Sequence, residues 1–264
     1  MTLDEVLDAL FPAGHDTRVE KEGVLHGMAR YGEGSTAAVL GVVNRTPLGI
    51  DGALALGGHV LDVTRHAPGR PIAVLIDAQS QRMRRRDGLL GLNEYLAHLA
   101  KCFVLASRQG HRSVSVLFGR AAAGAFIATG LVQDVLVAVP GGDPVVMDLP
   151  SIARVTKLPQ DRLEALSKDT PVFAPGLDYA PPIGAVAEVW NGGDLALKMA
   201  TALDGPPGAP DRRDEIGAAR KGRLKAAAIA RRIDQEATAI AVSAAHVVHP
   251  NVALQPFSVP ARAP

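Results

Sequence analysis

The stretch Val114–Thr129, VSVLFGRAAAGAFIAT, constrains the fold more than any other part of the chain. An apolar run (Val114, Val116, Leu117, Phe118) meets Gly119-Arg120-Ala121-Ala122-Ala123-Gly124, and a helix of small residues follows. A strand, a tight turn and a helix start in that order make a β–α unit. They aim several backbone N–H groups at one point, with the positive end of the helix behind them. No side chain in the turn can act as a nucleophile or an acid. Any functional role therefore runs through the backbone, by binding an anion or stabilising one as it forms. Gly119-x-x-x-x-Gly124 has the spacing of a phosphate-cradling loop, but Ala125-Phe126 stand where Lys and Ser/Thr are required, which argues against nucleotide hydrolysis. A nucleophile elbow needs Ser or Cys inside the turn, and three alanines fill it. Two readings remain: an oxyanion hole, or a helix packed closely on its strand.

The flanking sequence repeats the pattern. Ala37–Val43 reads as a buried strand, and Asp51 as the cap of a small-residue helix over Gly52–Thr64. Ile72–Asp77 reads as a strand, Gly88–Ser107 as a helix, Ser113–Phe118 and Val135–Val139 as further strands. In Gly88–Ser107, residues Leu89, Leu92, Leu96, Leu99, Phe103 and Ala106 make one apolar stripe. Strands that are apolar throughout and alternate with helices predict parallel pairing with both faces covered. Thr2–Leu10 reads as a short capped helix, and Ser151–Val155 and Pro159–Lys168 as two more. Ala185–Trp190 reads as a last strand and Asp194–Leu203 as the helix after it. The sequence thus divides into an α/β domain over 1–204, a linker and charged helix over 205–240, and a Pro-containing tail over 241–264. The charged helix is expected over Asp211–Glu236, and Ala237–Pro264 is expected to be loosely ordered or ordered on a partner.

Composition narrows the function classes. The apolar share is 47%, enough for a full core, while aromatic residues make up 4%, the balance of a layered α/β protein with close helix–sheet contacts. A net charge of +1 points to no nucleic-acid partner. The lone Cys102 rules out internal disulfides and thiolate-rich metal sites. His59 and His66 fall seven apart on one helix, but no third ligand is evident from spacing, and no metal is expected. No secretory leader or run of about 18 apolar residues is seen, so the chain is expected to be cytoplasmic with no membrane contact.

Two further features sit beside the turn. Asp77-Ala78-Gln79-Ser80-Gln81 ends a parallel strand, where ligands of open α/β sheets gather. Gln79 and Ser80 should therefore lie near the amides of Ala123 and Gly124. The basic run Arg82-Met83-Arg84-Arg85-Arg86 follows at once, either as a solvated loop or as a contact for phosphates or an acidic partner.

With these residues in hand, the chain resembles the gamma subunits of biotin-independent malonate decarboxylases, in the carboxyltransferase branch of the crotonase-fold proteins. The resemblance runs from about Ala37 to Leu203. It rests on Asp77-Ala78-Gln79-Ser80 at a strand end, an early helical Glu94, and the turn Gly119–Ala125 in place of a glycine-rich motif. Gln79-Ser80 replaces Pro-Gly of that family, and alanines replace its glycines, which fits decarboxylation without biotin better than biotin-dependent transfer. The resemblance implies a crotonase-like core of repeated β-β-α units in a spiral, with an added C-terminal helix. It implies a site shared with a beta subunit of the same fold. The substrate would be a malonyl thioester on an acyl carrier protein (delta subunit) bearing a CoA-derived prosthetic group, with an alpha transferase subunit in the holoenzyme and no tightly bound cofactor on this chain. In this reading the amides of Ala123, Gly124 and Ala125 hold the enolate oxygen beside Gln79 and Ser80. Arg82, Arg84, Arg85 and Arg86 contact the carrier or its prosthetic group. The alternatives are a carboxyltransferase or acyl-CoA hydrolase subunit, and a non-catalytic scaffold for the carrier protein.

Overall fold

The computed structural model describes residues 1–169, 176–208 and 210–248. Its centre is one mixed eight-stranded sheet, ordered β1-β2-β3-β4-β5-β6-β8, with β7 beside the far end of β5. The strands are β1 (Arg18–Val19), β2 (Val24–Tyr31), β3 (Ser35–Val42), β4 (Ile72–Ala78), β5 (Ser113–Ala122), β6 (Val135–Ala138), β7 (Asp143–Val145) and β8 (Glu188–Val189). From β3 onward every pairing is parallel, as the apolar runs predict. The hairpin of β2 on β3 is antiparallel. β2 carries His26, Gly27 and Arg30 among its apolar residues, so it lacks the continuous apolar run that marks the others.

Alternation along the strands builds two cores. Ala38, Leu40 and Val42 of β3, Ile72, Val74 and Ile76 of β4, and Leu117 and Ala121 of β5 face one way. They meet α2 (Ile50–His66) and α4 (Leu92–Arg108) through Leu56, Val60, Leu99 and Phe103. Ala37, Val39, Ala73, Leu75, Val114, Val116 and Phe118 face the other way, onto α1 (Leu3–Leu10) and α8 (Leu195–Leu203) through Leu7, Leu10, Met199 and Leu203. Each buried Leu or Ile contributes about 2 kcal/mol from removal of its side chain from water.

Several helix expectations are corrected. α2 starts at Ile50, with Gly49 at its N-cap and no cap from Asp51. Gly88–Ser107 is two helices, α3 (Arg85–Leu89) and α4, because Gly91 adopts a left-handed φ of 75° between them. Leu89 is thereby 75% exposed, and the buried stripe begins at Leu92. Asp211–Glu236 is likewise two helices, α9 (Arg213–Ala219) and α10 (Ala226–Val248), parted at Lys221, whose φ is 63°. Ala237–Val248 continues α10 as helix, contrary to the loose order expected there, and the rest of the tail lies outside the described residues. The small helices after the sheet are α6 (Leu149–Thr156) and α7 (Gln160–Asp169).

Candidate functional site: the turn after the central strand

β5 runs four residues beyond Phe118, because Arg120, Ala121 and Ala122 pair with β7 after Val114–Leu117 have paired with β6. Gly119 lets this extension form. A Cβ there would lie 2.1 Å from Asp77 Oδ1, which accepts the Arg120 N–H at 3.0 Å. The turn itself is one residue wide. Ala122 is extended and Ala123 has a φ of 51°, in the left-handed region that an alanine occupies at a cost of about 1–2 kcal/mol. α5 (Ala123–Phe126) begins at once and widens into a π-helical turn over Ile127–Leu131. Ala123 and Gly124 are half-buried, while Ala125 is fully buried.

The turn separates two clefts. One, of about 370 Å³, is lined by Gln79, Ser80, Ala122 and Ala123, with Arg120 and Arg154 in its wall. The structure thus brings together Gln79, Ser80 and the turn. The other, of about 430 Å³, is lined by Gly124, Leu92 and Leu96, with Arg84 and Arg85 at its edge. Gln81 lines both clefts, and its Oε1 accepts the Gly124 N–H at 2.8 Å. Of the three expected amide donors, Gly124 therefore already holds an amide oxygen. Sequence reasoning placed Gln81 in the right loop but gave it no role. Arg120 was read only as part of the turn and given no role, and Arg154 lies on a helix some thirty residues further on.

The basic run divides in two, which corrects the expectation for Arg82. Its guanidinium is buried and bonds both oxygens of Asp87 at 3.0 and 3.2 Å, the carboxylate of Glu22, and Asp51 at 3.4 Å. It also lines the second cleft, but its charge is already taken up by these three carboxylates. Asp87 also accepts the Ile50 N–H at 3.2 Å, so it caps α2 from a distance and supplies what Gly49 lacks. The Arg82 hydrogen bonds hold the Asp87 carboxyl below the usual carboxylate range, against the opposing effect of burial. Arg86 bonds Asp51 at 2.7 and 3.1 Å at the surface. Arg84 and Arg85 are exposed and have no ion-pair partner among the described residues.

Exposed apolar side chains lie among these arginines: Met83, 86% exposed, lines both clefts, and Val146 and Met147 line the first. No helix among the described residues is long and apolar enough to cross a membrane.

A mixed sheet, parallel from β3 onward, with its clefts at a strand-to-helix turn is the fold of the crotonase-type carboxyltransferases. The transcarboxylase 12S core with methylmalonyl-coenzyme A and methylmalonic acid bound has the same fold, with a TM-score of 0.64 at 18% identity over 77% of this chain and 41% of that one. Within that class, the family model for malonate decarboxylase gamma subunits (MdcE) matches residues 43–237, and the chain belongs to that family. A Pseudomonas malonate decarboxylase hetero-tetramer in complex with coenzyme A contains a chain similar to this one, at 26% identity and a TM-score of 0.69, covering 87% of this chain and 97% of that chain. The malonyl-S-ACP:biotin-protein carboxyltransferase MADD of Malonomonas rubra is 33% identical over 123 residues, which are 46% of this chain and 42% of that protein. The match therefore spans less than half the length of that curated relative.

Proposed function

We propose that the chain works with a beta subunit of the same fold to decarboxylate a malonyl thioester carried by an acyl carrier protein, in the cytoplasm. The observation that carries this reading is the Gly124 N–H, which points at an amide oxygen 2.8 Å away between two clefts. A thioester carbonyl is also an sp² oxygen and can take that place once the Gln81 side chain swings aside. As carbon dioxide leaves, the pair of the breaking C–C bond becomes the C=C bond of the enolate, and negative charge collects on the thioester oxygen. A donor already fixed by the backbone stabilises this charge without reorganising, a contribution of about 3 kcal/mol per donor. Protonation of the enolate carbon then yields the acetyl thioester. The amides of Ala123 and Ala125 stand beside Gly124 in the same turn, and Gln79 and Ser80 form the facing wall. Arg84 and Arg85 are the cations left for the phosphates of a CoA-derived arm or for an acidic carrier surface. The exposed apolar residues around both clefts support a subunit partner that covers them. An alpha transferase subunit, which loads the carrier, completes the assembly.

The similarity to a biotin-protein carboxyltransferase favours a second reading, in which the carboxyl group passes to biotin. One assay separates the two. The chain co-expressed with a beta subunit is given malonyl-loaded carrier, without biotin protein. Decarboxylation is expected from the complex and none from this chain alone. Gly124→Val should lower kcat about a hundredfold, the scale of losing one oxyanion donor, while the complex still forms on size exclusion. Its side chain displaces the bound oxygen and presses on Leu96, since a Cβ there lies 2.9 Å from Leu96 Cδ1. Near-normal kcat in an assembled Gly124→Val complex returns the turn to a packing role.

A further inference from the structure

On the opposite side of α2 from the turn, three elements bring together a ligand set that sequence spacing does not reveal. Glu20 lies just before the 3₁₀ turn Lys21–Gly23, His26 is on β2, and His59 is on α2. His26 Nε2 is 3.0 Å from Glu20 Oε1, and His59 Nε2 is 3.4 Å from Glu20 Oε2. The two imidazole rings are stacked, with centroids 4.1 Å apart and planes within 8°. One ligand atom from each residue lies within 4.8 Å of the other two. Among the described residues, no other group of three His, Cys, Asp or Glu side chains meets that spacing.

A hydrogen-bonded carboxylate is an incomplete account of this cluster. The His26 Nε2 atom is itself buried and has no hydrogen-bond partner, although Glu20 Oε1 is close, because the contact is not aligned as a hydrogen bond. Two imidazoles and one carboxylate are the donor set that a borderline cation takes in three-ligand sites, with water in the fourth position. Ligand atoms around a tetrahedral zinc stand about 3.3 Å apart, close to both His–Glu separations here. Glu20 is 43% exposed, which leaves the outer side of the cluster open to that water.

We infer that Glu20, His26 and His59 form a binding site for a borderline divalent cation, Zn²⁺ foremost, which pins the turn before β2 to α2. The same turn carries Glu22, whose carboxylate meets Arg82, so the ion would brace the outer end of the ionic corner beneath the candidate active site.

Zinc chloride supplied in excess to the full-length chain, followed by desalting and elemental analysis, tests this directly. One zinc per chain is expected, with a melting temperature raised by a few degrees. Glu20→Gln and His59→Gln should each lose both effects. These side chains are partly exposed, so the variants should fold, and circular dichroism confirms that. His98→Ala is the control, because His98 and Cys102 make a separate contact at 3.6 Å on α4, and it should keep the metal. Failure of the parent chain to retain zinc overturns the inference. So does loss of zinc in His98→Ala, or a full equivalent retained by the Glu20→Gln/His59→Gln double variant.

Discussion

Arg82 shows how little a residue's type says about its use. Five positions of one loop hold four arginines, and only the fold tells which of them is structural. Arg82 lies under Gly49 with three carboxylates around it, whereas Arg84 and Arg85 point outward with none. Asp87→Asn should therefore cost about 3 kcal/mol near neutral pH, because it leaves a buried guanidinium short of its main partner and weakens the cap on α2. The sign of the pH dependence follows from the lowered pKa. The Asp87 contribution is complete above the unfolded value of 3.8 and fades as pH falls through the lower folded value. Urea unfolding at about pH 7 and about pH 3 should show a gap between parent and variant that narrows in acid. A gap that stays constant would mean that the carboxylate's charge plays no part.

The elements legible in the sequence were those that a simple period describes. The continuous apolar runs of β3, β4, β5 and β6 announced strands covered on both faces, and a Thr2 or Asp4 cap announced α1, where the structure shows Thr2 in a capping box with Glu5. β2 was not legible because it sits near the sheet's antiparallel edge and mixes His, Gly and Arg with apolar residues. Both split helices failed for one reason. A single residue with positive φ, Gly91 or Lys221, ends a helix without interrupting the composition on either side. The turn at Ala123 was recognised as a strand-to-helix junction, but not as left-handed, since alanine gives no signal of it. A β-branched residue fits that region far worse than alanine. Ala123→Val should cost about 2 kcal/mol in thermal unfolding, more than the same substitution at the exposed Ala97 of α4. Equal costs at both sites would show that the left-handed turn carries no strain.

As a whole molecule, the chain presents a finished core and an unfinished surface. Both sheet faces are covered, yet Met83, Val146 and Met147 stand exposed in the cleft walls, and α10 exposes Ile229, Ile233 and Ile240. The site's position at the strand ends was legible because it follows from parallel topology. The pairing of Gln81 with Gly124, and the meeting of His59 with Glu20 and His26, were not legible, because each joins residues more than thirty positions apart. The two outward arginines lead to a prediction on this scale. On the function proposed above, Arg84→Ala with Arg85→Ala in the complex with a beta subunit should raise KM for the malonyl-loaded carrier several-fold and weaken its dependence on salt, with kcat little changed. A fall in kcat at constant KM would place these residues in the chemistry instead.

Gly49 and Gly119 each lie where a charged side chain fills the room of a Cβ. At Gly49 a Cβ would stand 2.2 Å from the Arg82 guanidinium, and at Gly119 it would stand 2.1 Å from the Asp77 carboxylate. Neither charge can simply move away, because Arg82 is held by three carboxylates and Asp77 by the N–H groups of Arg45 and Arg120. Each glycine is thus tied to a distant ion, and neither member of a pair is free to drift on its own. Among relatives that keep this corner of the fold, positions 49 and 82 should change together, as should 119 and 77. A lineage that gives up the buried arginine gains freedom at position 49 that no other substitution provides.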